Sequence, residues 1–241
     1  VYTNGEVECG LLRHEDFPAD EWASIDTRAD AKVGEILNAW KQSVDTRLGE
    51  VIGYSEVTLD NYDSGKRLVR SEETNTGDFA ADALYYLFDN LGYAVDVAIM
   101  NGGGVRNKAV SGELSYKSLK DIHTFGNVAC LQIVTGQQIK DALEFGSRAV
   151  PGELGGFLQV SGLHYTIDPS VQSTVQLDEK SVWTGGPTGE YRVSNIEIYD
   201  RESKSYVPLQ LDKKYMLAGY NYTLRDLGDG FAMFRGAEHV I

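Results

Sequence analysis

The stretch that decides the fold is AVDVAIMNGGGVR, residues 94–106. Ala94–Met100 is a short apolar run that ends on Asn101-Gly102-Gly103-Gly104. Such a run, stopped by glycines, predicts a buried strand feeding a tight turn. Upstream, residues 75–92 place Ala80, Ala83, Leu84, Leu87, Phe88 and Leu91 on one helical stripe with Gly92 at the end, the pattern of an amphipathic helix. Downstream, a short helix is expected over 115–122 and a strand over 128–134. Thr135 and Gln138 then form a capping box, so the next helix should run from about Gly136 to Ser147. Strand patterns follow at 157–167, 191–199 and 215–221. Helices and strands are interleaved, which predicts a mixed α/β (α+β) domain.

Towards the N-terminus, Val33, Ile36, Leu37, Trp40, Val44 and Leu48 recur at three- and four-residue spacing and Gly49 follows, so residues 26–48 read as a helix. Val51–Asp60 is strand-like. Residues 1–48 are therefore expected to be a leading segment and interdomain linker helix, and residues 49–241 the main domain. The Ser-, Thr- and Gly-rich stretch 168–190 reads as a surface excursion.

Charge narrows the partners. The chain has 22 Lys and Arg against 36 Asp and Glu, a net charge of −14. Nucleic acid and anionic membranes would be repelled, whereas a small anion needs only a few converging cations. No apolar run approaches the ~20 residues of a membrane span. Cys9 and Cys130 are too far apart for a metal motif, and Cys130, inside an apolar run, should be buried. His14, His123, His164 and His239 lack metal-ligand spacing. Neither a nucleophile elbow nor a phosphate-binding Gly-Lys loop occurs. Hydrolytic machinery is not visible.

Several groups could instead hold a ligand. Glycines 102–104 could turn backbone N–H groups outward to make an anion-binding concavity, with Arg106 two residues on. Lys66, Arg67 and Arg70 form a positive group in an acidic chain. Phe125-Gly126-Asn127 could offer a platform for a flat ring. Asp229, between Gly228 and Gly230, could accept hydrogen bonds from a sugar diol. Each also has a plain structural reading, as a turn, a core plug or a solvated face.

In order along the chain, the segments 73–77 (ETNTG) with 81–84 (ADAL), 101–106 (NGGGVR), 125–127 (FGN), 135–136 (TG) with 143–144 (LE), 157–162 (FLQVSG) and 228–231 (GDGF) resemble the C-terminal domain of the 5′-nucleotidase family. That family includes UDP-sugar hydrolases and 2′,3′-cyclic-nucleotide phosphodiesterases. The likeness covers roughly residues 48–235 and implies mixed sheets with flanking helices. It also implies a nucleotide-binding domain whose catalytic partner, a separate N-terminal metallophosphatase domain, holds two divalent metal ions. No cofactor is then expected in this chain, and alone it should not hydrolyse AMP.

By the same resemblance, Arg70 and Arg106, with Lys66, would hold the phosphate of an AMP-like nucleotide or nucleoside. Phe125 and Tyr222 would clamp the base, with Tyr222 preferred to Tyr220. Asn127 would meet the base edge, Asp229 the ribose hydroxyls, and Asn101 and Gly155 would line the pocket. Family members are exported, which implies an extracellular, surface or periplasmic location. Two other readings stay open: a non-catalytic surface or adhesion module with Phe125 and Tyr222 packed inward, and a stand-alone phosphatase with an unrecognised site.

Overall fold

The structure, a computed structural model, describes residues 2–3, 6–7, 31–107, 109 and 111–241. In the first half of the chain the elements are β1 (Tyr2–Thr3), β2 (Glu6–Val7), α1 (Ala31–Leu48), β3 (Val51–Ser55), α2 (Asn75–Asn90), β4 (Val97–Asn101), β5 (Gly112–Ser115) and α3 (Tyr116–Ile122). There follow β6 (Ala129–Thr135), α4 (Gly136–Ser147), β7 (Leu158–Ser161), β8 (Leu163–Ile167), β9 (Gln176–Leu177), β10 (Trp183–Gly185), β11 (Val193–Asp200), β12 (Ser205–Pro208), β13 (Lys214–Tyr220), α5 (Asn221–Leu224) and β14 (Glu238–His239). Residues 1–50 and 51–241 form two compact units. In the first, β1 pairs antiparallel with β2, and α1 stands as a helix of 18 residues. Residues 26–30 of the expected helix, and Cys9, lie outside the described residues.

The second unit is built on a five-stranded sheet of order β14-β6-β13-β4-β7. Only β13 and β4 run parallel; the other pairings are antiparallel. All five residues of β4 are buried, so the strand is covered on both faces, and its apolar run shows no polar alternation. Successive side chains of a strand point to opposite faces. Val97 and Ile99 accordingly enter one core, with Leu143, Phe145 and Leu217. Ala98 and Met100 enter the other, with Ala80, Leu84 and Phe88 of α2. Helix α4 thus covers one face and α2 the other. A three-stranded sheet, β12-β11-β8, and the pairs β3-β5 and β9-β10 complete the unit.

Local signals account for the helix starts. Thr135 Oγ1 accepts from Gln138 N at 3.2 Å and Gln138 Oε1 accepts from Thr135 N at 2.9 Å, the expected capping box of α4. Thr74 caps α2 by accepting from Gly77 N at 3.1 Å. The stripe of α2 is narrower than its sequence suggests. Ala80, Ala81, Leu84 and Phe88 are buried, whereas Leu87 and Leu91 are exposed. Glu144, fully buried on α4, accepts from the backbone N–H groups of Arg192 at 2.8 Å and Val193 at 3.0 Å and so ties β11 to that helix. Cys130 is buried with a free thiol, as its apolar run implies.

Candidate functional site

Strand direction gathers the site. Because β4 and β13 are parallel, the segments leaving them, Gly102–Gly104 and Asn221–Asp229, emerge at the same edge of the sheet. Strands β6 and β7 run antiparallel to these neighbours, so the segments entering them, Phe125–Val128 and Gly155–Phe157, arrive at that edge too. The carboxyl ends of parallel strands are a common place for ligand clefts. Gly102 N donates to Phe157 O and Gly103 N to Gly155 O, both at 2.7 Å. Val128 N donates to Asn221 Oδ1 at 2.7 Å, and Asn221 N to Val128 O at 2.9 Å, which fixes the Phe125 loop against the Tyr222 loop.

Between these loops lies a cavity of ≈ 270 Å³, near the lower end of the usual range for small-molecule clefts. Phe125 and Tyr222 both line it and both are exposed, at 51% and 37%. They are not packed inward. Asp229 also lines it and is held at both oxygens. Asn101 Nδ2 donates to Oδ2 at 2.9 Å and Tyr222 Oη to Oδ1 at 2.9 Å, while Asp229 N donates to Tyr222 Oη at 3.2 Å. Burial, and then the Asp229 hydrogen bond, push the Tyr222 phenol above its usual pKa. Asp229 has φ +54° and Leu227 φ +56°, a left-handed backbone that costs a non-glycine residue energy and tends to persist at functional sites. Phe231, fully buried, anchors this loop by meeting Phe145 edge-to-face with ring centroids 5.0 Å apart.

Arg70 completes the wall. It follows Val69, whose backbone lies so close to Gly102 that a Cβ there would collide with the Val69 carbonyl. Among the described residues the Arg70 guanidinium has no hydrogen-bond or ion-pair partner, and its Nε is buried. The Arg67 guanidinium stands near it. Burial, then Arg70 and Arg106 among its charged neighbours, hold Arg67 below the ordinary arginine pKa. A half-buried, unpaired cation with like charges beside it is a place for an anion.

The profile of the "5'-nucleotidase, C-terminal domain" family matches residues 51–236. The chain belongs to the 5′-nucleotidase family. It is 30% identical over 223 residues to the trifunctional nucleotide phosphoesterase protein YfkN of Bacillus subtilis, covering 92% of this chain and 14% of that protein. It is 26% identical over 234 residues to the cell wall protein Lmo0130 of Listeria monocytogenes, covering 92% and 27%. Among solved structures, the 5′-nucleotidase precursor of Thermus thermophilus matches with a TM-score of 0.69 at 29% identity, over 87% of this chain and 37% of that one. The chain thus spans well under half the length of these relatives, and it carries the C-terminal domain fold of the nucleotidases.

In this nucleotidase domain the cavity brings together seven of the nine residues picked out in the sequence: Arg70, Asn101, Phe125, Asn127, Gly155, Tyr222 and Asp229. The other two stand outside its lining. Arg106 has its guanidinium carbon 5.6 Å from the Phe125 ring centroid, and its Nη1 donates to Gly103 O at 3.3 Å. Lys66 is paired with Glu72 at 3.1 Å. Tyr220 is turned to His123, with its hydroxyl 3.3 Å from Nδ1.

Of the two readings of the tri-glycine turn, the structural one holds. The tri-glycine turn offers no open anion nest, because Gly102 N, Gly103 N and Gly104 N donate to the carbonyls of Phe157, Gly155 and Asn101. These glycines serve close backbone approach instead. Sequence reasoning also missed the double hold of Tyr222 and Asn101 on Asp229, which needs a fold to become visible. Among the described residues no group of three or more His, Cys, Asp or Glu side chains could hold a metal ion. Nor is any described helix long and apolar enough to cross a membrane.

Proposed function

We propose that this chain is the substrate-recognition domain of an exported, metal-dependent 5′-nucleotidase or related nucleotide phosphoesterase. In this reading a separate N-terminal metallophosphatase domain with two divalent metal ions performs the hydrolysis. The observation that carries it is the unpaired Arg70 guanidinium at a cavity walled by two exposed rings. Phe125 and Tyr222 take the faces of the base, and the Asn127 amide its edge. Asp229 accepts from the ribose hydroxyls with the lone pairs that Asn101 and Tyr222 leave free. Arg70 holds the phosphate through charge-assisted hydrogen bonds. Arg106, over the Phe125 ring, adds positive charge near Arg67 and braces that ring. A surface or extracellular location is supported by the Listeria relative, a cell wall protein.

Calorimetric titration of the chain with adenosine and with AMP tests the reading. Hydrogen bonds to charged groups are worth about 1.5–3 kcal/mol. Arg70→Ala should therefore weaken AMP by roughly 10- to 150-fold and leave adenosine unchanged. Equal weakening of both ligands, or of neither, would remove Arg70 from the phosphate.

A further inference from the structure

Arg70 lines the nucleotide cavity; its neighbour Ser71 lines a second one, of ≈ 280 Å³, which shares no residue with the first. Exposed Glu73 and half-buried Asp78 supply carboxylates to this second wall, and buried Phe157 and Leu163 an apolar surface. Glu72 is already neutralised by Lys66 at 3.1 Å. Glu73 and Asp78, by contrast, have no side-chain hydrogen bond or ion pair among the described residues. His164, the one basic side chain in the lining, meets Glu197 Oε2 at 2.7 Å.

Burial, then Glu73 and Asp82, push the Asp78 carboxyl up to about 6, as expected where negative charge is crowded without a counterion. A separate observation lies deeper. Ser71 is 3% exposed and its Oγ has no hydrogen-bond partner, an arrangement that folded proteins normally avoid. The wall is also rigid. Gln159 Nε2 donates to Val69 O at 3.1 Å and Glu72 O at 2.7 Å, and Oε1 accepts from Thr74 N at 3.1 Å. Gly77 leaves room for that amide, since a Cβ there would collide with it.

We propose that this second cavity binds a primary alkylammonium group, with the cation between Glu73 and Asp78 above the unpartnered Ser71 hydroxyl, and the aliphatic stem along Phe157 and Leu163. A bare metal ion suits it less, because no metal-binding group of side chains forms there and the apolar wall would go unused. The ammonium could come from a free polyamine or from a lysine side chain of another protein. The site is independent of the nucleotide reading, which can fail without it.

The test is amide chemical-shift titration of the chain with spermidine, with Nα-acetyl-lysine methyl ester, and with pentanol as an uncharged control. Either amine should give saturable shifts at Thr74, Asp78 and Val160 with a Kd of about 1 mM or tighter, and pentanol none. The double variant Glu73→Gln, Asp78→Asn should bind about tenfold more weakly or worse. Tighter spermidine marks a free polyamine and a tighter lysine ester a protein side chain; both outcomes support the site. Shifts that are absent, that pentanol reproduces, or that persist unchanged in the double variant overturn it. Should that variant fail to fold, the comparison of amine with pentanol on the unaltered chain still decides.

Discussion

Replacing Phe125 by alanine is expected to weaken adenosine and AMP by the same factor. A base stacked on an aromatic ring gains about 1–3 kcal/mol, so the loss should be about 5- to 150-fold for each ligand. The equality matters more than the size. In the proposed reading the ring meets the base, which both ligands share, and Arg70 the phosphate, which only AMP carries. Phe125 is 51% exposed and belongs to neither core, so its removal should leave the melting temperature nearly unchanged. The contact with Arg106 goes with it. Calorimetry with both ligands, beside thermal denaturation, checks this. A loss confined to AMP would place the ring away from the base.

The second large effect concerns the fold of the site. Gly102→Ala sets a methyl group against the Val69 carbonyl, with the Val69 carbonyl carbon 2.9 Å and Arg70 Cα 3.3 Å from the new atom. Backbone cannot swing aside as a flexible side chain can, and Gly102 is itself pinned by its bond to Phe157 O. Overpacking of this kind costs about 1–3 kcal/mol. For a chain of this size each kcal/mol lowers the melting temperature by roughly 2–4 °C. The displaced segment carries Arg70, so AMP should lose affinity as well. Gly53→Ala, where nothing lies within 4 Å of the new methyl, should shift stability by no more than about 0.5 kcal/mol. Equal melting temperatures for the two variants would contradict the close approach.

Much of the fold is legible in the sequence itself. The buried run at 97–100, the capping box at Thr135 and the stripe of α2 are local signals, and the structure places elements there. Short strands escaped, namely β5, β12 and β14, because two to four residues carry too little period to register. The excursion at 168–190 likewise holds the small pair β9-β10. Of the seven cavity residues, Arg70, Phe125, Asn127 and Asp229 stand out locally and Gly155 and Tyr222 only by resemblance to a family, and no spacing in the chain announces that they meet. Their meeting depends on β4 and β13 lying parallel, and that pairing joins segments more than a hundred residues apart. The choice between the two readings of glycines 102–104 has the same origin. Whether an N–H is free depends on which carbonyl faces it, here those of Gly155 and Phe157, about fifty residues on. The holding of Asp229 by Tyr222 lies between the two cases, being only seven residues apart but relying on left-handed Leu227 and Asp229.

The most direct test of the central claim is a nuclear Overhauser measurement on the chain saturated with AMP. Cross-peaks from the adenine protons to the ring protons of both Phe125 and Tyr222 are predicted, together with contacts from the ribose to the Gly155 amide beside Asp229. Cross-peaks to neither ring, with AMP bound elsewhere or not at all, would contradict it.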